Sequence, residues 1–431
     1  YMKSTYSDVT CRTLDASERL FTSDETAMPL VIEALKHQNL DFLQQFLANN
    51  EASLLADIAH YGAILLRGFK IQSDTDFESA ITALPHFKPI SEAFMAEEGR
   101  IHAPKCRYVL HTNAVYKTGG TLYLGGFHSE NYYSTDVPAF IAFCCLKPSA
   151  QGGETGLVNM EKVYKKLDKT LREKLESQTF YVTKWLLSEV ANRYDLPVKD
   201  VETICQQFGV PIVGDKHKWA MLYKPNVLIH PVTQQKSLHI NLFELPTLNE
   251  ALRRIFSKDY QGRAWFWHRL VWRLPTSAFK VIERIYIALA SFCYSPKNSL
   301  KILANKMKAY WVKNPQGDTP ELAETKVGSC FDNAQIEELA QLIRQYYVSC
   351  LWQQGDILIV DNRKVMHAGM PGLGPRLVRA LIGSPMQLPL DKQSNGIFHA
   401  TPACDNLGAI MSNVTMLKST ATTKQESHFS Q

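Results

Sequence analysis

His128 and Glu130, one residue apart, together with the distant His367, restrict what this chain can be more than any other feature. In a β-strand alternate side chains share a face, so His128 and Glu130 can reach one ion while Ser129 points away. Two imidazoles and one carboxylate on one face of a metal, with three positions left open, form the ligand set of non-haem Fe(II) oxygenases. His-x-Glu alone is weak, because 13 His and 42 acidic residues produce it by chance, and a surface pair at a strand end is then the ordinary explanation.

The second half of the chain changes those odds. Leu122 to Ile141 is rich in aromatic and β-branched residues, as expected of strands around a loop at Tyr133 to Pro138. Trp352 to Asp356 reads as a turn into a strand, Ile357 to Asp361, and the chain then runs through Asn362 to His367. A Gly/Pro-rich loop, Ala368 to Pro375, leads to Arg376, which opens another apolar strand, Leu377 to Ile382. A His at one strand end and an Arg on the next, joined by a short loop, belong near one pocket, and such an Arg suits a dicarboxylate. Between the two halves, Pro148 to Gly156 makes a Gly-Gly turn after the strand Phe140 to Leu146 and presents Glu154 and Thr155 on a sharp bend. An isolated Gly-Gly is otherwise an ordinary turn.

Taken in order, Tyr61 to Phe69, Phe127 to Tyr133, Pro148 to Gly156, His230-Pro231 and Gly355 to Arg376 resemble the Fe(II)/2-oxoglutarate-dependent dioxygenases of the taurine dioxygenase superfamily, in its clavaminate-synthase-like branch. The resemblance spans residues 55–250 and 328–385. It implies a mainly β fold with flanking helices, a double-stranded β-helix (jelly roll) core carrying a helical insertion. It implies His128, Glu130 and His367 as iron ligands. Thr155 and Arg376 match the positions that hold the distal carboxylate of 2-oxoglutarate, and Arg suits that task because its planar fork binds a carboxylate bidentately. The keto-acid end of the co-substrate would take two open metal positions and O2 the third. The implied chemistry couples decarboxylation of 2-oxoglutarate, giving succinate and CO2, to hydroxylation of an unactivated C–H bond in a small amino-acid-like or specialised-metabolite substrate. Desaturation or ring closure at the same iron is the alternative. Halogenases of the superfamily lack the carboxylate that Glu130 supplies here.

The chain departs from the pattern at Gly369, where many members of the branch carry an Arg. Arg379, three residues past Arg376, is the second choice for the co-substrate. Asn113, Tyr116, Tyr132 and His230 are candidate substrate contacts by position, although His230 is as readily satisfied in a core; His239-x-Asn241 lies nearby. His102 and His111 have no metal-ligand partner at strand or helix spacing. From another class, a metal-binding jelly-roll regulatory protein acting through its basic insertion would fit, but retention of three ligands and the Arg argues against it. A zinc enzyme on the same triad is a further alternative.

At 431 residues and 45% hydrophobic, the chain can bury one large or two modest cores. Nine Cys without a metal-type C-x-x-C point to free thiols in a reducing, cytoplasmic setting. No apolar run reaches a membrane span, and Tyr1 to Thr26 is polar rather than signal-like. Helices are expected at Leu30 to Ala48, Ser73 to Leu84, Glu161 to Leu175 and after a cap at Asn333. The expected organisation is residues 1–251 and 314–390 as two parts of the oxygenase core, 252–313 as the insertion, and 391–431 as a tail, disordered from Ser412 on.

The insertion is the least expected segment. Between Arg253 and Lys313 there are 13 Lys/Arg against only Asp259 and Glu283, a balance of +11, so with +5 overall the remainder carries −6. It also holds Trp265, Trp267, Trp272 and Trp311, four of the seven Trp. Three readings compete: a helical lid with wet charges, a docking surface for an acidic partner such as a carrier protein bearing the substrate, and an interfacial helix pair on an anionic membrane surface. Nucleic acid is not expected.

Overall fold

The computed structural model describes residues 5–96, 101–112, 120–121, 124, 126–242, 245–311 and 324–414. Its architecture is mixed α/β with several sheets. The largest sheet has the order Val9–Arg12, Leu30–Ala34, Ala63–Arg67, Ile357–Asp361, Pro138–Lys147, Leu377–Gln387, and the last strand also pairs with Leu110–His111 and Thr401–Pro402. A smaller sheet places Thr155–Asn159 between Tyr347–Val348 and Val365–Gly369.

Strand alternation divides the large sheet into two faces. Ile141, Phe143, Cys145, Leu358, Val360, Val378, Ala380 and Ile382 point inward and share one apolar cluster with Leu157, Val348 and Val365 of the small sheet. Ala142, Cys144, Ile357, Ile359 and Leu381 point outward and pack with Leu43, Leu47, Ile58, Phe77 and Ile81 of the helices Leu40–Tyr61 and Asp74–Thr82. The inward layer between the sheets is where the site lies.

Several local expectations are corrected. Leu30–Ala34 is a strand, paired in parallel with Ala63–Arg67, and the helix starts only at Leu40, capped by the Asn39 side chain. β-branched Val31 and Ile32 fit a buried pleat, and pairing with a strand beyond the helix outweighs the local helical pattern. The helix expected over Glu161 to Leu175 is two, Met160–Lys166 and Lys169–Glu176, because the Asp168 carboxylate accepts from the Leu171 N–H and starts a new helix. The helix Asn333–Gln345 is capped one residue earlier than expected, by Asp332, in a reciprocal pair with Gln335. In the tail, Ile397–His399 joins a sheet, Leu407 and Met411 are buried, and the helix over residues 407–414 passes the expected onset of disorder at Ser412 by under one turn. Residues 415–431 lie outside the described residues.

The basic segment is helical in its described part: Pro246–Phe256, Phe266–Trp272, Thr276–Tyr294 and Pro296–Trp311. Pro275 and Pro296 mark the breaks, as a residue that cannot donate into a preceding turn must. The first of these helices begins at Pro246, ahead of residue 252, and packs against Asn333–Gln345. Leu252, Phe256, Trp265, Trp272 and Phe279 belong to a second apolar cluster that includes Phe127 and Tyr347. No described helix is long and apolar enough to cross a membrane.

Candidate metal centre

His128 and His367 are direct antiparallel neighbours: each backbone N–H donates to the other's carbonyl at 3.1 Å. Opposed residues in an antiparallel pair project to one side, and the two imidazole rings lie 4.5 Å apart between centroids. That side is the inward layer, since His367 is opposite Leu157 and its ring meets Phe143 at 5.1 Å. The Glu130 carboxylate enters the same space: its Oε2 is 3.2 Å from His367 Nε2 and 3.8 Å from His128 Nε2. One ligand atom from each of the three residues lies within 4.8 Å of the others. Such spacing is what ligands about 2.0–2.2 Å from a shared ion would have. The donor set, two imidazole nitrogens and a carboxylate, suits Fe(II) and leaves room for further ligands.

Neighbours orient these groups. His128 Nδ1–H donates to the Gly126 carbonyl at 2.9 Å, which directs the Nε2 lone pair toward Glu130. The Asn362 carboxamide accepts from the Glu130 N–H at 2.6 Å and donates to the Pro138 carbonyl at 2.8 Å. Ser129, pointing away, accepts from the Ile240 N–H through its hydroxyl. Asp361, next to Asn362, is fully buried; burial alone would raise its carboxyl pKa, but Arg363 and His230 outweigh burial and hold it well below the usual range.

Thr155 opens the strand antiparallel to Val365–Gly369, opposite Gly369, and shares the face of Leu157 and His367. Arg376 is buried, with Nη1 donating to the carbonyls of Gly153 at 2.5 Å and Glu154 at 3.4 Å. Gly153 has φ +70°, and a Cβ there would meet Ser149 Oγ at 2.4 Å and Arg376 Cδ at 3.6 Å. Glycine is therefore required at 153 by its positive φ and by the close approach of Ser149, and the turn so formed presents the carbonyl that receives Arg376. Burial raises the pKa of the Glu154 carboxyl, which accepts from the Tyr347 hydroxyl at 2.9 Å.

Arg379 sits elsewhere. It lies opposite Cys144, whose side chain belongs to the outward layer, and its Nε donates to Asp74 of the flanking helix at 2.6 Å. Tyr132 is buried, its hydroxyl accepting from Asn226 at 3.0 Å. His230 is buried with both nitrogens engaged: Nε2 with Asp361 at 2.8 Å, and Nδ1 accepting from the Val232 and Thr233 N–H groups at 3.1 Å each. Asn113 and Tyr116 lie outside the described residues. His102 and His111 are strand-edge neighbours of Leu110 and Arg379, outside the three-residue cluster.

The hydrogen bonds of Asn362 and the burial of Lys224 are not legible in the sequence. That lysine is fully buried, with its Nζ donating to the carbonyls of Asn131 and Tyr132. Burial drives its pKa well below the usual lysine range. His239, also fully buried, is pushed down to about 3 by burial and then by Lys224. Nothing local in the sequence marks Lys224, and the position of His239 beside Asn241 does not reveal its burial, because their surroundings are assembled from distant segments.

The family model described as taurine catabolism dioxygenase TauD, TfdA family matches residues 28–302 and 316–381, and the chain belongs to that family. It is an Fe(II)/2-oxoglutarate-dependent dioxygenase, with Fe(II), 2-oxoglutarate and O2 as its cofactor and co-substrates. The match runs unbroken to residue 302, so it includes most of the basic segment, which sequence reading had placed outside the resemblance. Among curated proteins, the chain is similar to the dapdiamide synthesis protein DdaC of Enterobacter agglomerans, 21% identical over 347 residues, covering 76% of this chain and 84% of the relative. Among solved structures it is similar to PvcB, an Fe, alpha-ketoglutarate dependent oxygenase from an isonitrile synthetic pathway, at 13% identity and a TM-score of 0.46, covering 91% of this chain and 99% of that one. It is also similar to a putative alpha-ketoglutarate-dependent taurine dioxygenase from Burkholderia xenovorans, at 12% identity and a TM-score of 0.43, covering 92% and 99%.

Proposed function

We propose that His128, Glu130 and His367 hold the iron, and that Arg376 with Thr155 receives the distal carboxylate of 2-oxoglutarate. The observation that carries this reading is the convergence of two imidazoles on one buried carboxylate oxygen in the layer between the two sheets. Those facing sheets are read as the jelly-roll core. Iron with bound co-substrate supplies the oxidising chemistry, 2-oxoglutarate leaving as succinate and CO2. The chain's own contribution is placement. Asn362 fixes the backbone of Glu130, the Gly126 carbonyl sets the His128 tautomer, and apolar Phe143 and Leu157 keep the layer dry. Arg379, engaged by Asp74 on the outer face, is set aside as co-substrate anchor.

The reaction proposed is hydroxylation of an unactivated C–H bond in a small, amino-acid-like or specialised-metabolite substrate, free or carrier-tethered, in the clavaminate-synthase-like manner. The relative's role in dapdiamide synthesis supports that substrate class. Of the sequence candidates, Tyr132 stands two residues from Glu130, whereas the engaged nitrogens of His230 make it a support for Asp361. The 252–313 segment is taken as an accessory subdomain. A cytoplasmic setting is part of the proposal. The test is succinate release from 2-oxoglutarate in air: it should require Fe(II) and disappear in Glu130→Ala. Release that persists in Glu130→Ala at the wild-type rate would refute the ligand assignment.

A further inference from the structure

The helices Thr276–Tyr294 and Pro296–Trp311 pack on each other, yet they leave many apolar side chains in solvent. Val281, Ile285, Leu289 and Phe292 are all exposed on the first helix, Leu289 at 61%. Their spacing, i, i+4, i+8 and i+11, puts them on one stripe. Leu300, Leu303 and Met307 form a second exposed stripe, at i, i+3 and i+7 on the second helix. Phe266, Leu270 and Trp267, the last 68% exposed, extend the set onto the preceding helix. Isolated exposed apolar residues are ordinary, whereas a concentration like this marks an interaction surface.

The charge around the stripes has one sign. Lys280, Arg284, Lys297 and Lys301 are exposed, and at about 100° per residue Arg284 flanks the first stripe and Lys297 the second, with Lys280 and Lys301 further round toward the polar side. The only acidic residue on these two helices is Glu283, which is half-buried. An apolar stripe bordered by Lys and Arg, with an exposed Trp nearby, is the composition of a helix that lies in a lipid headgroup layer. Neither helix is apolar enough to cross a bilayer, so the surface geometry is the one open to them. A second copy of the chain is disfavoured as occupant, because a symmetric contact would bring two +11 segments together. An acidic protein would answer the charge but leaves the two separate stripes and the Trp unexplained.

We propose that this helical pair is a peripheral docking surface for an anionic phospholipid layer, with Leu289, Phe292, Leu300 and Leu303 entering the headgroup region and the bordering Lys/Arg meeting lipid phosphates. The inference does not depend on the reading of the iron site.

The experiment is flotation of the full chain with vesicles of phosphatidylcholine alone and of phosphatidylcholine with phosphatidylserine. Binding is expected to the mixed vesicles, to weaken with added salt, and to blue-shift Trp fluorescence. Leu289→Asp with Phe292→Asp should weaken partitioning by about tenfold or more, and Arg284→Glu with Lys301→Glu should remove the preference for the anionic vesicles. These positions are exposed, so both variants should keep the wild-type melting temperature and wild-type consumption of 2-oxoglutarate. The proposal is overturned if the folded wild-type chain ignores the mixed vesicles. It is equally overturned if the variants bind like wild type, or if Leu289→Asp instead abolishes a concentration-dependent dimer or binding to an acidic protein.

Discussion

Asn362 grips the backbone of Glu130 from both sides, accepting from its N–H at 2.6 Å and donating to its carbonyl at 3.3 Å, while a further bond reaches the Pro138 carbonyl at 2.8 Å. The two residues are distant in sequence, and both are buried. The turn that carries Glu130 is thus held by one side chain from the turn between the strands Ile357–Asp361 and Val365–Gly369. Asn362→Ala is expected to weaken Fe(II) binding by about 10–100-fold. It should cost about 1–3 kcal/mol of stability, because a buried N–H is left without its acceptor. Iron titration beside thermal melts separates the two effects; an unchanged iron affinity would assign Asn362 to folding alone.

The two arginines of the Leu377–Gln387 region make opposite predictions. Arg376→Lys loses the planar fork and should raise the apparent Kd for 2-oxoglutarate by about tenfold or more. Arg379→Lys should leave that Kd within about twofold, because its partner is Asp74 on the outer helix. Titrating 2-oxoglutarate into each iron-loaded variant gives both numbers. The reverse order would exchange their roles.

Gly153→Ala should behave as a co-substrate variant although it bears no functional group. A Cβ at φ +70°, 2.4 Å from Ser149 Oγ, must move the turn whose carbonyl receives Arg376. The expected result is weaker 2-oxoglutarate binding with Fe(II) affinity close to wild type, measured in the same titrations.

Buried His239 gives a pH dependence of known sign. Its folded pKa is about 3 against an ordinary 6.5, lowered by burial and then by Lys224. The unfolded chain takes up this proton near pH 6.5 and the folded chain does not until about pH 3, so its contribution to stability is fully present above pH 6.5 and declines on acidification. The slope is about 1.4 kcal/mol per pH unit, or about 2 kcal/mol lost by pH 5. His239→Phe should flatten the fall in melting temperature between pH 7 and pH 5. An equally steep fall in the variant would place the acid sensitivity in other groups.

Part of the candidate site was legible because the close spacing of His128 and Glu130 and the short loop from His367 to Arg376 need only neighbouring residues to be read. The expected strand does not run through both ligands: His128 sits on an isolated bridge and Glu130 in the turn that follows, so the carboxylate reaches the imidazoles through that turn and not through strand alternation. What escaped depends on tertiary pairing. Leu30–Ala34 has an apolar pattern that a helix would also satisfy, and only Ala63–Arg67, beyond an intervening helix, makes it a strand. Arg376 and Arg379 look alike in sequence and are told apart by a helix that delivers Asp74 to one of them. Lys224 carries no motif and His239 only its position beside Asn241, and the burial of both is created by segments that sequence cannot bring together by inspection.

The central claim is tested most directly by adding Fe(II) and then 2-oxoglutarate to the protein without air and recording the visible spectrum. A weak charge-transfer band should develop with wild-type protein, saturate at one equivalent of iron, and be absent in folded His367→Ala. Failure of the folded wild-type chain to give the band, or its full retention in His367→Ala, would contradict the assignment of His128, Glu130 and His367 as the iron site.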